Sequence, residues 1–263
     1  MKKAQILAFV AVVMLTTSCS QSLHLTSVSR TRILIDSTYD AVAVDSLEAF
    51  LAPYKACVDS IMSPVVGSAA HDMAASRPES DLSNLLADIL LWSGAKYGEH
   101  PDFAVYNMGG IRAAFSRGDV TRGDVLDVAP FENKVCFLTL SGSKVLELFS
   151  NIASVGGEGV SKGVRLVITD DGQLLSASVG GKAVDPARSY RVATLDYLAQ
   201  GNDHLTAFKD NTDMVAPKGE QNNVRFIIEN YFGESAAKGK PVASQVEGRI
   251  VVKSISAASQ NQN

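Results

Sequence analysis

Two apolar runs, Val164 to Thr169 and Leu174 to Val179, flank the turn Asp170-Asp171-Gly172. Acidic residues followed by glycine favour a tight reversal, so the segment predicts a β-hairpin. A hairpin makes its two strands antiparallel neighbours, whereas a doubly wound sheet follows its strands with crossover helices. Other stretches read as separate helices. Asp81 to Tyr97 places Leu82, Leu85, Leu86, Ile89, Leu90 and Trp92 on one broad face, with Ser80 or Asp81 able to cap it. Ser141 to Ala153 carries a serine cap and an apolar face, and Val224 to Phe232 reads as another helix. Asp45 to Met62 has helical spacing, but Pro53 predicts a break or two short helices. Thr121 to Val125 reads as a turn into a short helix closed by Pro130. Pro64 to Met73 reads as extended, and strands are predicted at Phe103 to Tyr106, Lys134 to Leu140, Tyr190 to Leu195 and Arg249 to Val252. Hairpin strands mixed with separate helices define an α+β (mixed α/β) layered domain.

The N-terminus carries its own signals. Lys2 and Lys3 precede the apolar run Ala4 to Leu15, and small residues lead to Cys19. This predicts a secretory signal peptide over residues 1–18, too short for a comfortable membrane span. Cys19 stands where the modified cysteine of a bacterial lipoprotein stands, although the leucine lies four residues before it rather than three. The expectation is an exported protein, lipidated at Cys19 and anchored on a periplasmic or outer-membrane surface. Residues 19–43 are then a lipidated tether, 44–253 the folded domain, and 254–263 a disordered tail. Cys57 and Cys136 could pair in an exported protein, but each lies in an apolar periodic run, so buried free thiols are the expectation. A formal net charge of −4 without a basic stripe weighs against a nucleic-acid polymer as partner.

The chemistry concentrates in a few places. Asn107-Met108-Gly109-Gly110-Ile111-Arg112 follows a predicted strand. Its glycine pair permits a tight turn and close approach to a ligand, and Arg112 offers a charged planar fork for an anion. In Pro130-Phe131-Glu132-Asn133 the phenylalanine is poorly placed for the core and could present its ring to a flat ligand. In Asp196 to Asp203 a strand runs into a glycine turn that ends in Asp203, with Tyr197 at its mouth. Arg77 stands just ahead of the long helix.

In order along the chain, these pieces are Asn-x-Gly-Gly-Ile-Arg, a Gly-Asp-Val turn and Pro-Phe-x-Asn, then Ser-Gly-Ser-Lys-Val-Leu-Glu-Leu and a glycine-rich loop. Val-Asp-Pro-Ala-Arg-Ser-Tyr-Arg-Val-Ala-Thr, Tyr-Leu-Ala-x-Gly-x-Asp and a final Glu-Gly-Arg-Ile follow. The pattern resembles the C-terminal domain of the bacterial and animal 5'-nucleotidases over roughly Pro64 to Val252. The resemblance implies a domain that clamps the base of a nucleoside or nucleotide between two aromatic rings, here Phe131 and Tyr197. It implies Arg112 toward phosphate, with Arg77 as the second arginine. It implies Asn107 and Asn133 as polar ligands, Asp203 on the ribose hydroxyls, and Gly157, or its rival Gly156, beside the base. Tyr197 replaces the family's more usual phenylalanine. Gly201-Asn202-Asp203-His204 replaces Gly-Gly-Asp-Gly, with Asn202 expected to take a left-handed turn and His204 to narrow the mouth.

In the resembling enzymes hydrolysis belongs to a two-metal centre on a separate N-terminal metallophosphatase domain. Such a centre needs clustered Asp, His and Asn ligands. The four histidines here, His24, His71, His100 and His204, sit in none of its motifs. No catalytic residue, metal ligand or cofactor is therefore expected in this chain, and divalent metals are expected only in a partner metallophosphatase. Three functions stay open: the substrate-binding half of a split 5'-nucleotidase, a lipoprotein that captures nucleotides without hydrolysis, or a surface domain that has lost its ligand. Arg112, Asp203 and both aromatics weigh against the third.

Overall fold

The computed structural model describes residues 27–34 and 45–254. The expected signal peptide, Cys19, much of the tether and the tail from residue 255 lie outside the described residues. The chain divides into two units, Met1–Leu51 and Ala52–Asn263. In the first, residues 27–34 are exposed and without regular structure. Helix α1, Asp45–Met62, runs through the boundary without interruption, which corrects the break expected at Pro53. Proline removes one helical N–H···O bond. Every residue from Leu47 to Ile61 is exposed, so water can meet the freed carbonyl. Cys57 is consequently exposed rather than buried, whereas Cys136 is buried; both are free thiols. Burial pushes the Cys136 thiol up to about 12, which keeps it protonated.

The second unit continues with β1 (Val65–Ala69), α2 (Asp81–Ser93), β2 (Phe103–Tyr106), β3 (Gly118–Thr121) and α3 (Arg122–Val128). Then come β4 (Val135–Ser141), α4 (Gly142–Ser154), β5 (Gly159–Val160), β6 (Val164–Thr169), β7 (Leu174–Val179) and β8 (Lys182–Ala183). The order closes with β9 (Ser189–Leu195), α5 (Asp196–Ala199), β10 (Thr212–Val215), α6 (Val224–Ala237) and β11 (Ile250–Lys253). The strands form a mixed five-stranded sheet β10-β4-β9-β2-β5, a four-stranded sheet β11-β6-β7-β8 and the pair β1-β3. β6 and β7 are the expected hairpin, and β11 joins β6 in parallel. The strands missed by sequence reading are β3, β5, β8 and β10, which are short and lack the apolar run that marks β2 and β11.

Helix α2 buries Leu82, Leu85, Leu86, Ile89 and Leu90 against the five-stranded sheet. Ser80 is its cap: Ser80 Oγ accepts from Ser83 N, while Ser83 Oγ accepts from Ser80 N. A one-turn 3₁₀ helix, Gly94–Tyr97, completes the stretch expected as helix. The C-terminal strand is fastened by polar contacts. Arg249, 2% exposed, donates from both terminal nitrogens to the Asp88 carboxylate at 2.8 and 2.7 Å. It also donates to the carbonyl of Val160 at 2.8 Å. Glu79 accepts from Asn84 Nδ2 at 2.7 Å and from Glu247 N at 2.8 Å. Helix α2, β5 and β11 thus meet at one buried guanidinium.

Candidate functional site

Register decides which loops meet. β4 runs antiparallel to β9 with Val135 opposite Leu195, so the start of β4 lies beside the end of β9. β2 runs parallel to β9, so its end also falls there. β5 is antiparallel to β2 with Gly159 opposite Tyr106. One edge of the sheet therefore gathers Asn107 after β2, Phe131 to Asn133 before β4, Glu158 before β5, and Tyr197 to Asp203 after β9. Lys134 N donates to Asp196 Oδ1 at 3.0 Å, tying two of these loops together.

Asn107, Gly109, Phe131, Asn133, Tyr197 and Asp203 line one cavity of about 190 Å³. Phe131 is 46% exposed and Tyr197 39%, so neither ring fills the core. Asp203 is held from two sides. Asn107 Nδ2 donates to its Oδ2 at 2.5 Å, and the Tyr197 hydroxyl donates to its Oδ1 at 2.9 Å. The bond to Asp203 pushes the Tyr197 phenol above its ordinary range, so the hydroxyl keeps its proton. The left-handed residues of this turn are Gly201, Asp203 and His204, not Asn202 as expected.

The glycine pair has a reason that the sequence did not give. Neither Gly109 nor Gly110 is left-handed; both lie in a 3₁₀ turn, Met108–Gly110. A Cβ on Gly110 would stand 2.7 Å from Asn107 Oδ1, and one on Gly109 would stand 3.3 Å from Asp203 Oδ2. Asn107 Oδ1 is buried and without a hydrogen-bond partner. The glycines leave Asn107 and Asp203 room to face each other.

The remaining expected residues lie outside this cleft. Arg77 lines an adjoining recess of about 530 Å³, which shares Gly109 and Asp203 with the cleft and also contains His204. Arg112 is exposed, with Nη1 3.4 Å from the Gly109 carbonyl, and borders neither space. Gly157 is buried against Pro78, where a Cβ would fall 2.3 Å from the Pro78 carbonyl oxygen. Its rival Gly156 lines a further pocket with Asp170 and Asp171. Neither glycine touches the aromatic cleft. Both serve the path of the chain, and Gly157 accepts a bond from Arg77 Nη1 at 3.1 Å.

Sequence reading missed Glu158. It is 2% exposed and lines the recess. Its Oε1 accepts from Arg77 Nη2 at 2.5 Å, and its Oε2 accepts from Met108 N. Burial pushes its carboxyl up to about 7, a rise reinforced by Asp203 and opposed by the Met108 N–H and Arg77. The available signal was a lone charge inside a glycine run, Gly156-Gly157-Glu158-Gly159. Because the folded carboxyl binds its proton more tightly than the unfolded one, Glu158 favours the fold below about pH 4.5. That contribution is lost as pH rises through about 7. The stability of the wild type relative to Glu158→Gln should fall by about 1–3 kcal/mol between those limits. Urea melts of both proteins across the range check this, and parallel pH profiles would rule it out.

Among the described residues, no group of three or more His, Cys, Asp or Glu side chains is placed to hold a metal ion. His71, His100 and His204 belong to no such set, and His24 lies outside the described residues. Among the described residues no helix is long and apolar enough to cross a membrane.

The fold is a mixed α+β domain whose loops gather at one edge of the five-stranded sheet. Residues 65–210, more than half of the chain, match the family described as 5'-nucleotidase, C-terminal domain, and the chain belongs to that family. It is 32% identical over 187 residues to the trifunctional nucleotide phosphoesterase protein YfkN of Bacillus subtilis, covering 65% of this chain and 12% of that protein. It is 37% identical over 106 residues to protein UshA of Escherichia coli, covering 39% of this chain and 19% of that protein. The crystal structure of the 5'-nucleotidase precursor from Thermus thermophilus superposes with a TM-score of 0.66 at 27% identity. That match covers 79% of this chain and 42% of the Thermus chain. The chain thus spans less than a fifth of the length of the two curated relatives, YfkN and UshA.

Proposed function

We propose that this chain is the nucleoside- and nucleotide-binding half of a 5'-nucleotidase whose metallophosphatase half is a separate polypeptide. The observation that carries the reading is the single cleft in which Phe131, Tyr197, Asn107, Asn133 and Asp203 converge from three loops. Two exposed rings offer flat apolar faces to a base. A carboxylate fixed by two hydrogen bonds offers two acceptors to a ribose diol. The reading includes export and a lipid on Cys19, which would hold the domain on the membrane surface where its partner works. Divalent metals belong to the partner, and nucleotide breakdown is the process served.

Arg112 borders neither the cleft nor the recess but reaches to 3.4 Å from the carbonyl of Gly109, which lines both, and we read it as the cation for phosphate and Asp203 as the ribose ligand. Arg112→Ala is expected to weaken a nucleoside 5'-monophosphate by roughly 1.5–3 kcal/mol and to leave the nucleoside nearly unchanged. Asp203→Ala should weaken both about equally. Calorimetric titration of adenosine and its 5'-monophosphate at fixed salt makes the comparison. Equal losses for the two ligands in Arg112→Ala would make this arginine structural. The split-enzyme half of the reading is tested by phosphate release. The purified domain with Mn²⁺, Zn²⁺ or Co²⁺ should release none, and a co-purifying metallophosphatase chain from the same cell envelope should restore it. Release by the domain alone that disappears in a Phe131→Ala, Arg112→Ala double variant would overturn it. Binding without release in any mixture would mark a capture lipoprotein instead.

A further inference from the structure

Glu158 joins the two arginine-bearing segments beside the cleft. One carboxylate oxygen holds Met108 N, the first residue of the turn that carries Asn107 to Arg112. The other holds Arg77, whose side chain is 38% exposed while that of Glu158 is 1% exposed. The pair is asymmetric: the carboxylate is buried and fixed, and the guanidinium reaches it from the rim of the recess. The charged and titratable groups facing Glu158 are Arg77, from the loop ahead of α2, and Asp203 and His204, from the turn after α5. Asp203 repels a second negative charge, so an anion entering the recess needs a free cation there. Arg77 lines that recess, but its charge is engaged by Glu158.

We propose that Glu158 is a positioning residue that acts as an ionic latch on Arg77, withholding it from the ligand's phosphate until the carboxyl takes up a proton. The inference rests on the nucleotide-binding reading above and adds to it a pH-dependent control of phosphate affinity. In the latched state Arg77 is paired with Glu158 and the cleft receives a nucleoside as well as a nucleotide. With Glu158 protonated the ion pair loses its charge, and Arg77 can turn to the phosphate. The carbonyl oxygen of the protonated group can still accept from Met108 N, so the turn stays in place. Burial poises the carboxyl at about 7, within the range where such control has effect.

Glu158→Gln imitates the released state, because the amide oxygen accepts from Met108 N but carries no charge. Adenosine and its 5'-monophosphate are titrated calorimetrically into wild type and variant from about pH 5.5 to about pH 8.5, spanning the carboxyl's transition. The latch predicts that at the upper pH the monophosphate binds the variant roughly tenfold more tightly than wild type, while adenosine changes less than about twofold. Near the lower pH the tenfold advantage should shrink to about twofold or less. The phosphate's own ionisation is common to both proteins, so that difference belongs to Glu158. Adding Arg77→Ala to the variant should abolish the gain. If adenosine binds both proteins and the monophosphate gains nothing, or gains equally at every pH, Glu158 is structural and the latch is wrong while the nucleotide reading stands. If neither ligand binds either protein although both melt cooperatively, the nucleotide reading fails and the latch with it.

Discussion

Truncating Phe131 or Tyr197 to alanine is expected to weaken nucleoside binding about 5- to 150-fold, equivalent to ~1–3 kcal/mol per ring. Stacking on an aromatic face contributes this much because the base leaves water for a flat, polarisable surface. The expectation is specific to these two rings. Phe103, Phe115, Phe137, Phe149, Phe208 and Phe232 are fully buried and hold the core, whereas Phe131 and Tyr197 stand at the cavity with large exposed surfaces. Their removal should therefore cost the fold little, on the order of 0.5 kcal/mol, as for other surface positions. Tyr197→Ala also releases Asp203 Oδ1 and should have the larger effect of the two. Tyr197→Phe keeps the ring and loses only that bond, which separates stacking from the hold on Asp203. Calorimetry with adenosine, paired with thermal melts, checks both sides. Unchanged affinity in both alanine variants would reject the aromatic clamp, and large drops in melting temperature would show the rings to be structural.

Arg249→Met is expected to be the most damaging single change at a polar residue, costing about 3 kcal/mol of stability. The substitution keeps an unbranched side chain of similar length but leaves Asp88 and the Val160 carbonyl without their shared donor. Breaking a buried ion pair from one side costs about 3–5 kcal/mol, because the remaining charge stays desolvated. Asp88 is 27% exposed, so the lower end of that range applies. For a domain of this size the melting temperature should fall by roughly 6–12 °C. Denaturant melts of Arg249→Met, Asp88→Asn and the double variant test the coupling. The double variant should lose clearly less than the two single losses added, because the second substitution removes a partner already stranded. Additive losses, or a loss under about 1 kcal/mol for Arg249→Met, would mean that water replaces the contact.

Much of this architecture was legible in local sequence. The hairpin at Asp170 to Gly172, the serine cap at Ser141 and the apolar face of α2 each report on neighbours a few residues apart. For such features the chain's own periodicity and turn chemistry suffice. The C-terminal extension of α6 to Ala237, beyond the expected Phe232, shows where that signal weakens: its last turn has no apolar face to mark it. Pro53 misled because a proline's effect depends on whether solvent can reach the freed carbonyl, which only exposure decides.

By itself the sequence determined the type of domain, most element positions and the residue types now gathered at the cleft. It placed Asn107, Phe131, Asn133, Tyr197 and Asp203 on three loops, each beside a strand end. Only the tertiary structure decided that those strand ends share one sheet edge, since register is set by pairing between segments far apart in the chain, as where Phe103 meets Val192 and Val135 meets Leu195. The same long-range pairing buried Glu158, brought Arg77 to it, crowded the two glycines against Asn107 and Asp203, and left Gly157 packed on Pro78 rather than in the cleft. Burial is what changes a side chain's charge behaviour and steric freedom, and burial belongs to contacts between distant segments that no local pattern encodes.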